Sequence, residues 1–242
     1  MPTALRYLLC LSLLANVVGL ISLTEVIRGR GGLAYLRAYF QKDPDARIDT
    51  GAVNRAKLFS AMPIPEARPV VFLGDSLTAG CEWQEILGHR LTILNRGIGG
   101  DTSAGVLKRV SDVSKLHPLA VFLLIGTNDA QSLGYTPADT ARNIRAIINA
   151  ILPPSSDTLV FIQSILPSRA PKFNKWSEEV NKTIRQFSDG KGVRYIDLRP
   201  AFLDTDQLLG TAYTHDGLHL TAEGYFLWKR QLDPIIQDLE GL

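Results

Sequence analysis

The sequence predicts an α/β fold in which helices cover both faces of a parallel β-sheet. From Val70 onwards, short apolar runs alternate with longer segments whose apolar residues recur at helical spacing. The short runs are almost continuously apolar, which is typical of strands that are buried on both faces. Strand and helix segments alternate in this way to the end of the chain. The order predicts one domain built on a central five-stranded parallel sheet.

Each predicted element is marked by its own residues. The first strand, VVFLG, ends at Gly74, and the third helix begins with Thr136 as its N-cap and Pro137 at its first position. The predicted strands are 70–74, 92–95, 119–126, 158–165 and 193–198. The predicted helices are 81–91, 103–116, 137–152, 174–187 and 221–239.

An apolar segment sets residues 1–27 apart from the rest of the chain. Residues 7–23 are 17 positions without a charge, which is near the lower limit for a membrane span and long for a signal-peptide core. Because no Ala-x-Ala cleavage signal is present, we predict an uncleaved N-terminal hydrophobic helix that attaches the protein to a membrane. A cleaved signal peptide and a buried core helix are the alternatives.

The charges around this segment give conflicting predictions for the location of the folded domain. Arg28, Arg30 and Arg37 outweigh Arg6 and the α-amine, so the positive-inside rule leaves the domain cytoplasmic. An N-terminal hydrophobic segment on an otherwise soluble protein more often serves export. We therefore expect a membrane-anchored, extracytoplasmic domain, with secretion after signal cleavage and a cytoplasmic location as the alternatives.

We predict that residues 28–67 form a stalk and that residues 68–242 form the folded domain. Glycines interrupt any helix that leaves the membrane, and PIPEARP at 63–69 is a stiff entry to the first strand. No motif precedes Pro63, so we expect a fragment that begins there to keep the function of the whole chain.

Composition and charge exclude nucleic acid as a partner. The net charge is +2, and 45% hydrophobic and 21% charged residues are ordinary for a globular protein. A net charge near zero, without a stripe of basic residues, provides no positively charged surface that would attract a polyanion.

The first of four polar or glycine-rich clusters follows the first predicted strand, at the edge of the sheet where ligands bind in parallel sheets. GDSLTAG at 74–80 places Ser76 at a strand-to-helix turn. A serine at such a turn exposes its hydroxyl, as a nucleophile requires, and its own N–H lies at a helix N-terminus. The alternative is that Ser76 only caps the helix that follows.

The second and third clusters offer hydrogen-bond donors. NRGIGGDT at 95–102 contains glycines that let backbone N–H groups approach a ligand, or else form a plain turn. A dinucleotide-binding loop would need glycine in place of Thr102. GTND at 126–129 offers the side-chain amide of Asn128 to an oxyanion, or else forms a turn in which Asp129 is a cap.

The fourth cluster, THDGLHL at 214–220, precedes the last predicted helix. Asp216 stands three residues before His219, so its carboxylate is able to orient the imidazole. His215 competes with His219 for the role of base. A metal site formed by His215, Asp216 and His219 is disfavoured, because no further His or Cys cluster supplies a ligand and H-E-x-x-H is absent. We therefore expect no metal.

The four clusters, in this order, resemble the sequence blocks of the SGNH hydrolases, also called GDSL esterases and lipases. The resemblance runs from Val70 into the final helix, and GIGGDTS is especially similar to the platelet-activating-factor acetylhydrolase-like branch. It implies a catalytic triad of Ser76, Asp216 and His219. It also implies an oxyanion hole formed by the N–H groups of Ser76 and Gly100 and the amide of Asn128.

The resemblance further implies a flavodoxin-like three-layer α/β/α sandwich and the activity of a serine esterase. Such an enzyme hydrolyses acyl esters of small molecules, carbohydrates or lipids through an acyl-enzyme intermediate, without a metal or an organic cofactor. An acyltransferase that uses the same acyl-enzyme and a non-catalytic carbohydrate- or lipid-binding module are the alternatives. An ordinary α/β-hydrolase is disfavoured, because G-x-S-x-G would need glycine in place of Thr78.

Two segments have room to form walls around the predicted site. Residues 164–176 carry Arg169, Lys172 and Lys175, and neither they nor residues 203–215 resemble an apolar lid helix. A long acyl chain is stabilised only where an apolar groove receives it. We therefore predict a preference for esters with short acyl chains.

Overall fold

Five parallel strands form one sheet in the computed structural model of the chain. The strands are β1 (Val70–Gly74), β2 (Ile93–Gly97), β3 (Ala120–Leu124), β4 (Leu159–Gln163) and β5 (Val193–Ile196). Their order across the sheet is β2-β1-β3-β4-β5, which is typical of flavodoxin-like folds. The structure describes Thr24 and residues 50–241, except positions 89, 132–133 and 154–155.

Helices precede, connect and follow the strands. They are α1 (Thr50–Ala61), α2 (Ser76–Ala79), α3 (Trp83–Leu87), α4 (Ser103–Ser114), α5 (Pro137–Ile151), α6 (Pro171–Arg185), α7 (Arg199–Phe202) and α8 (Ala222–Glu240). Two short 3₁₀ turns, Asp129–Gln131 and Thr211–Tyr213, lie in the connections.

Alternate residues of each strand enter two separate hydrophobic cores. Val71 and Leu73 of β1 pack with α4, α5 and α6 on one face of the sheet. Val70 and Phe72 pack with α3 and α8 on the other face, where the ring of Phe72 stacks on that of Phe122 at 4.8 Å between centroids. Because successive strand side chains point to opposite faces, continuously apolar strands supply both cores at once. The result is the predicted α/β/α sandwich.

The five predicted strands are confirmed with small shifts at their ends, and so are the helices between them except the first. The helix predicted over 81–91 is confined to Trp83–Leu87, because the backbone of Gly88 is extended. The hydroxyl of Thr136 accepts a hydrogen bond from the N–H of Asp139, and Pro137 begins α5 as expected. The helix α6 begins at Pro171 rather than at Asn174. Proline fits the first turn of a helix, where an N–H is not needed, so the true start lies at the proline.

The structure differs from the prediction in the segment before β1. The helix α1 lies within residues 28–67, which the sequence assigned to a stalk, and it was not predicted. Its apolar residues are scattered around the helix instead of forming one stripe, so it lacks the periodic signal of an amphipathic helix. The boundaries of the hydrophobic segment, the stalk and the folded domain stay predictions.

The predicted hydrophobic helix over residues 7–23 lies outside the described residues. Within the described part of the chain, each helix is too short or too polar to cross a bilayer. Membrane attachment therefore stays a prediction from the sequence.

The order of the strands brings three of the motif clusters together. β1 lies between β2 and β3 and pairs with both in parallel, so that Gly74 is aligned with Gly97 on one side and with Leu124 on the other. The carboxyl ends of the three strands therefore lie side by side at one edge of the sheet. The clusters that follow these strands begin at that edge, where ligands bind in folds of this type.

Candidate active site

Ser76 is the first residue of α2 and directly follows the end of β1. Asp75 caps this helix, because its side chain accepts a hydrogen bond from the N–H of Leu77 at 3.0 Å. The alternative in which Ser76 only caps the helix is therefore wrong. The side chain of Asp75 accepts the hydrogen bond of a free N–H group at the helix N-terminus, and the hydroxyl of Ser76 bonds to a different partner.

Three side chains form a continuous hydrogen-bonded chain that begins at Ser76. Its Oγ lies 3.0 Å from Nε2 of His219, although 143 residues separate the two in sequence. On the other side of the imidazole, Nδ1 of His219 lies 2.6 Å from Oδ2 of Asp216. An arrangement of this kind is able to take a proton from the serine hydroxyl and to stabilise the imidazolium that results.

The backbone holds the carboxylate of Asp216 in place. Its Oδ1 accepts hydrogen bonds from the N–H groups of Leu218 and His219, at 2.9 Å and 2.8 Å. The His219 ring and then these two N–H groups hold the pKa of Asp216 well below its usual range. The group that faces Nδ1 is therefore a charged carboxylate at neutral pH.

His215 lies on the same loop but outside this chain of hydrogen bonds. It is exposed, and the side chain of Asp216 bonds to His219 instead. In the part of the chain that the structure describes, no three His, Cys, Asp or Glu side chains are grouped so as to hold a metal ion.

Gly100 occupies an exposed turn after β2. Its φ is +75°, a left-handed conformation that glycine adopts without strain. A Cβ atom here would meet no atom within 4 Å, so the backbone conformation, and not a shortage of space, requires glycine. The turn is closed by a hydrogen bond of 3.2 Å from the N–H of Asp101 to the carbonyl of Ile98.

Asn128 follows β3 and reaches the same turn. Its Nδ2 donates a hydrogen bond to the carbonyl of Asp101 at 2.9 Å. This bond joins the third motif cluster to the second. The turn of Gly100 and the side chain of Asn128 therefore belong to one hydrogen-bonded unit at the strand ends.

Two acids and their partners support this unit, and the sequence did not reveal the pairings. The side chain of Asp129 accepts hydrogen bonds from the N–H and hydroxyl of Ser103 and, at 2.8 Å, from the hydroxyl of Thr140. The carboxylate of Asp101 forms a salt bridge of 2.7 Å with Nε of Arg109. The partners lie on α4 and α5, so no local spacing signals the pairings.

The carboxyl group of Asp75 is fully buried next to the nucleophile. Burial raises its pKa to about 7, and the negative charges of Asp101 and Asp129 add to this effect. The N–H of Leu77 and the hydroxyl of Thr127 act in the opposite direction. Asp75 therefore takes up a proton in the folded protein at a higher pH than in the unfolded chain.

We expect Asp75→Asn to flatten the pH dependence of the free energy of unfolding between about pH 4 and pH 7. The pKa of Asp75 rises from 3.8 in the unfolded chain to about 7 in the folded protein. Protonation of Asp75 therefore stabilises the folded state fully below pH 3.8, and this stabilisation is lost as the pH rises to about 7. The slope is at most roughly 1.4 kcal/mol per pH unit. Urea unfolding of both proteins from pH 5 to pH 8 measures it. A stability difference that stays constant over this range contradicts the prediction.

A cavity of about 660 Å³ lies next to Asp216, and neither Ser76 nor His219 is among its lining residues. Asp216 and Leu218 form one part of its wall, and Ala130, from the segment after β3, forms another. Phe173 and Trp176 of α6 provide an aromatic surface on the remaining side. The cavity therefore lies between the loop of Asp216 and the segment after β3.

Comparisons with known proteins agree with this geometry. The model of the GDSL-like Lipase/Acylhydrolase family matches residues 72–227, which include all four motif clusters and leave out α1. Platelet-activating factor acetylhydrolase IB subunit alpha1 of Homo sapiens is 30% identical over 165 residues, covering 64% of this chain and 70% of that protein.

Solved structures show the same similarity. A Streptococcus pneumonia protein named as a platelet activating factor superposes with a TM-score of 0.68 at 25% identity, covering 77% of this chain and 92% of that one. A Bacteroides fragilis protein assigned as an acylhydrolase superposes with a TM-score of 0.65 at 26% identity, covering 80% of this chain and 99% of that one.

Proposed function

Because the chain belongs to the GDSL-like lipase/acylhydrolase family and is an ester hydrolase, we propose that it cleaves short-chain acyl esters through an acyl-enzyme on Ser76. The observation that carries this proposal is the hydrogen-bonded chain from Ser76 through His219 to Asp216. In this proposal Ser76 is the nucleophile, His219 is the general base and acid, and Asp216 orients the imidazole.

The first half-reaction transfers the acyl group to the enzyme. Oγ of Ser76 attacks the ester carbonyl carbon, and Nε2 of His219 takes the hydroxyl proton. The charged carboxylate of Asp216 stabilises the imidazolium through Nδ1. The bond to the alcohol oxygen then breaks, and Nε2 returns the proton to that oxygen. The products are a free alcohol and an acyl group on Ser76.

The second half-reaction releases the acid. A water molecule attacks the carbonyl carbon of the acyl group while Nε2 of His219 takes one of its protons. When the bond to Oγ breaks, the imidazolium returns this proton to Ser76. The enzyme is restored, and the acyl group leaves as a carboxylic acid.

Three donors stabilise the negative oxygen that forms in both halves. They are the N–H groups of Ser76 and Gly100 and the side-chain amide of Asn128. The position of Ser76 at the start of α2 supports this assignment, because the first N–H groups of a helix have no partner within it. Such donors accelerate the reaction because charge develops on the oxygen only on the way to the tetrahedral intermediate.

In this proposal the acyl chain of the ester enters the cavity next to Asp216, and the lining of that cavity supports a preference for short acyl chains. Phe173 and Trp176 are apolar, but Arg169 and Lys172 line the same cavity. Arg169 is held at the wall by a salt bridge of 2.8 Å to Asp204. A long hydrocarbon chain placed there would displace water from charged groups without replacing its hydrogen bonds, which is unfavourable.

A series of p-nitrophenyl esters from acetyl to palmitoyl tests this preference. We expect kcat/KM to be highest for acetyl or butyryl esters and at least about tenfold lower for palmitoyl esters. Each further methylene is stabilised only by contact with apolar surface, and a charged wall does not provide it. Lys172→Leu removes one charge from the wall and should shift the preference towards longer chains. A rise in kcat/KM with chain length for the wild-type protein in detergent contradicts the proposal.

We also propose that residues 1–27 attach this hydrolase to a membrane, with the catalytic domain on the extracytoplasmic side. The uncharged run at 7–23 supports the attachment. The same ester series in lipid vesicles measures whether a bilayer held near the site changes the preference. A full-length chain that does not sediment with the vesicles contradicts the attachment.

A further inference from the structure

The helix α1 carries an arginine that reaches the backbone next to the turn of Gly100. Nε of Arg55 donates a hydrogen bond to the carbonyl of Gly97 at 2.8 Å. Gly97 is the last residue of β2, which is an edge strand of the sheet. The helix lies before residues 72–227, so this contact is not part of the family match.

Aromatic and polar contacts hold α1 on the domain. The guanidinium carbon of Arg55 lies 5.0 Å from the centre of the Phe59 ring, and that of Arg96, from β2, lies 4.7 Å from the same centre. The hydroxyl of Ser60 donates a hydrogen bond of 2.5 Å to the carboxylate of Asp112 on α4. The helix is thereby attached at two places, one beside the turn and one away from it.

The turn from Gly97 to Asp101 is held by an arginine at each end. Arg55 binds the carbonyl at its start. Arg109 binds the carboxylate of Asp101 at 2.7 Å and the carbonyl of Gly74 at 3.1 Å. Gly100, the proposed donor to the oxyanion, lies between these two attachments. A shift at either end would change the position of its N–H relative to Ser76.

Gly97 also packs against the helix of the nucleophile. A Cβ atom on Gly97 would lie 2.3 Å from the backbone nitrogen of Ala79, so the end of β2 touches α2 backbone to backbone. The helix α2 begins at Ser76. The carbonyl that Arg55 binds therefore belongs to the residue that joins the turn of Gly100 to the helix of the nucleophile.

We propose that Arg55 is a positioning residue for the oxyanion hole, which makes α1 a part of the catalytic unit. This role rests on the proposed function, because it requires the N–H of Gly100 to bind the oxyanion. Arg55 acts through the carbonyl of Gly97. A fragment that begins at Pro63 lacks this contact, so we now expect it to have a lower kcat than the full chain, although no motif precedes Pro63.

The variant Arg55→Met removes the hydrogen bond and keeps most of the apolar stem. We expect kcat for p-nitrophenyl acetate to fall about tenfold, with KM changed less than about twofold, because the lost alignment matters when negative charge develops. The rate of reaction with a fluorophosphonate, whose phosphoryl oxygen also enters an oxyanion hole, should fall in parallel. Arg55→Lys, which still donates one hydrogen bond, should restore part of both rates.

The variant Ser60→Ala is the matched control, since it removes the other attachment of the same helix. It should keep kcat within about twofold of the wild-type value, as surface substitutions usually have small effects. All rates are measured on the full chain, well below the melting temperature of each variant. An unchanged kcat in Arg55→Met, a loss confined to KM, or equal losses in Arg55→Met and Ser60→Ala would overturn the proposal.

The wild-type protein separates this inference from the proposed function. If it hydrolyses esters and Arg55→Met does so equally well, only the role of Arg55 is rejected. If it neither hydrolyses any ester of the series nor reacts with the fluorophosphonate at Ser76, the proposed function itself is rejected.

Discussion

Replacing Ser76 or His219 by alanine is expected to lower kcat by at least about 10⁴-fold while the fold is retained. The first change removes the attacking oxygen, and the second removes the nitrogen that lies 3.0 Å from it and takes its proton. The side chain of His219 is 52% exposed, so its truncation leaves no cavity in either core. Hydrolysis of p-nitrophenyl acetate measures the loss, and circular dichroism checks the fold.

His215→Ala is the matched control for this prediction, because His215 lies on the same loop and is exposed. It should retain kcat within about threefold of the wild-type value, as expected for an exposed residue outside the triad. Fluorophosphonate labelling should survive in this variant and disappear in Ser76→Ala. An inactive His215→Ala together with an active His219→Ala would show that the base is assigned to the wrong histidine.

The second large effect is expected for Asn128→Ala, which should lower kcat by about 10²–10³-fold with little change in KM. The amide of Asn128 is proposed to donate to the oxyanion, which carries full charge only after attack on the carbonyl. The loss therefore falls on the transition state and not on substrate binding. Steady-state kinetics with p-nitrophenyl acetate separate the two parameters.

Asn143→Ala is the control for a general disturbance of the network near Asn128. Nδ2 of Asn143 donates to the hydroxyl of Ser103 at 2.9 Å, and Ser103 bonds in turn to Asp129, next to Asn128. Asn143→Ala removes a side-chain amide from the same hydrogen-bonded network but leaves the proposed oxyanion donors in place. Equal losses of kcat in both variants, or an unchanged kcat in Asn128→Ala, would remove Asn128 from the oxyanion hole.

Spacing and residue type predicted only those parts of the site in which the interacting residues are close in the chain. The pairing of Ser76 with His219, 143 positions apart, came from the resemblance to the SGNH hydrolases. Asp216 and His219 are three residues apart, so their contact depends mainly on the conformation of one loop. The placement of Ser76 at the start of a helix follows from a short apolar strand that ends at a glycine. Local geometry of this kind is visible in spacing and residue type.

The sequence alone could not supply the contacts that hold the predicted groups in place. The bond from Arg55 to Gly97 spans 42 residues, and the salt bridge from Arg109 to Asp101 joins a helix to a turn that precedes it. Neither pairing has a characteristic spacing, and the helix that carries Arg55 has no apolar stripe. The raised pKa of Asp75 likewise depends on burial by segments distant in the chain.

The alternation of strands and helices, the parallel sheet, the three clusters after strands and the cluster before the last helix are all evident from the sequence. They depend on periodicity and on the residues that flank each element. The folded structure was needed to show that Oγ of Ser76 contacts Nε2 of His219, that Asp75 instead of Ser76 caps α2, and that α1 reaches the turn of Gly100. These contacts depend on the order of strands in the sheet and on the packing of helices over it. Such packing arises from the burial of apolar surface across the whole domain, and no short segment of the chain encodes it.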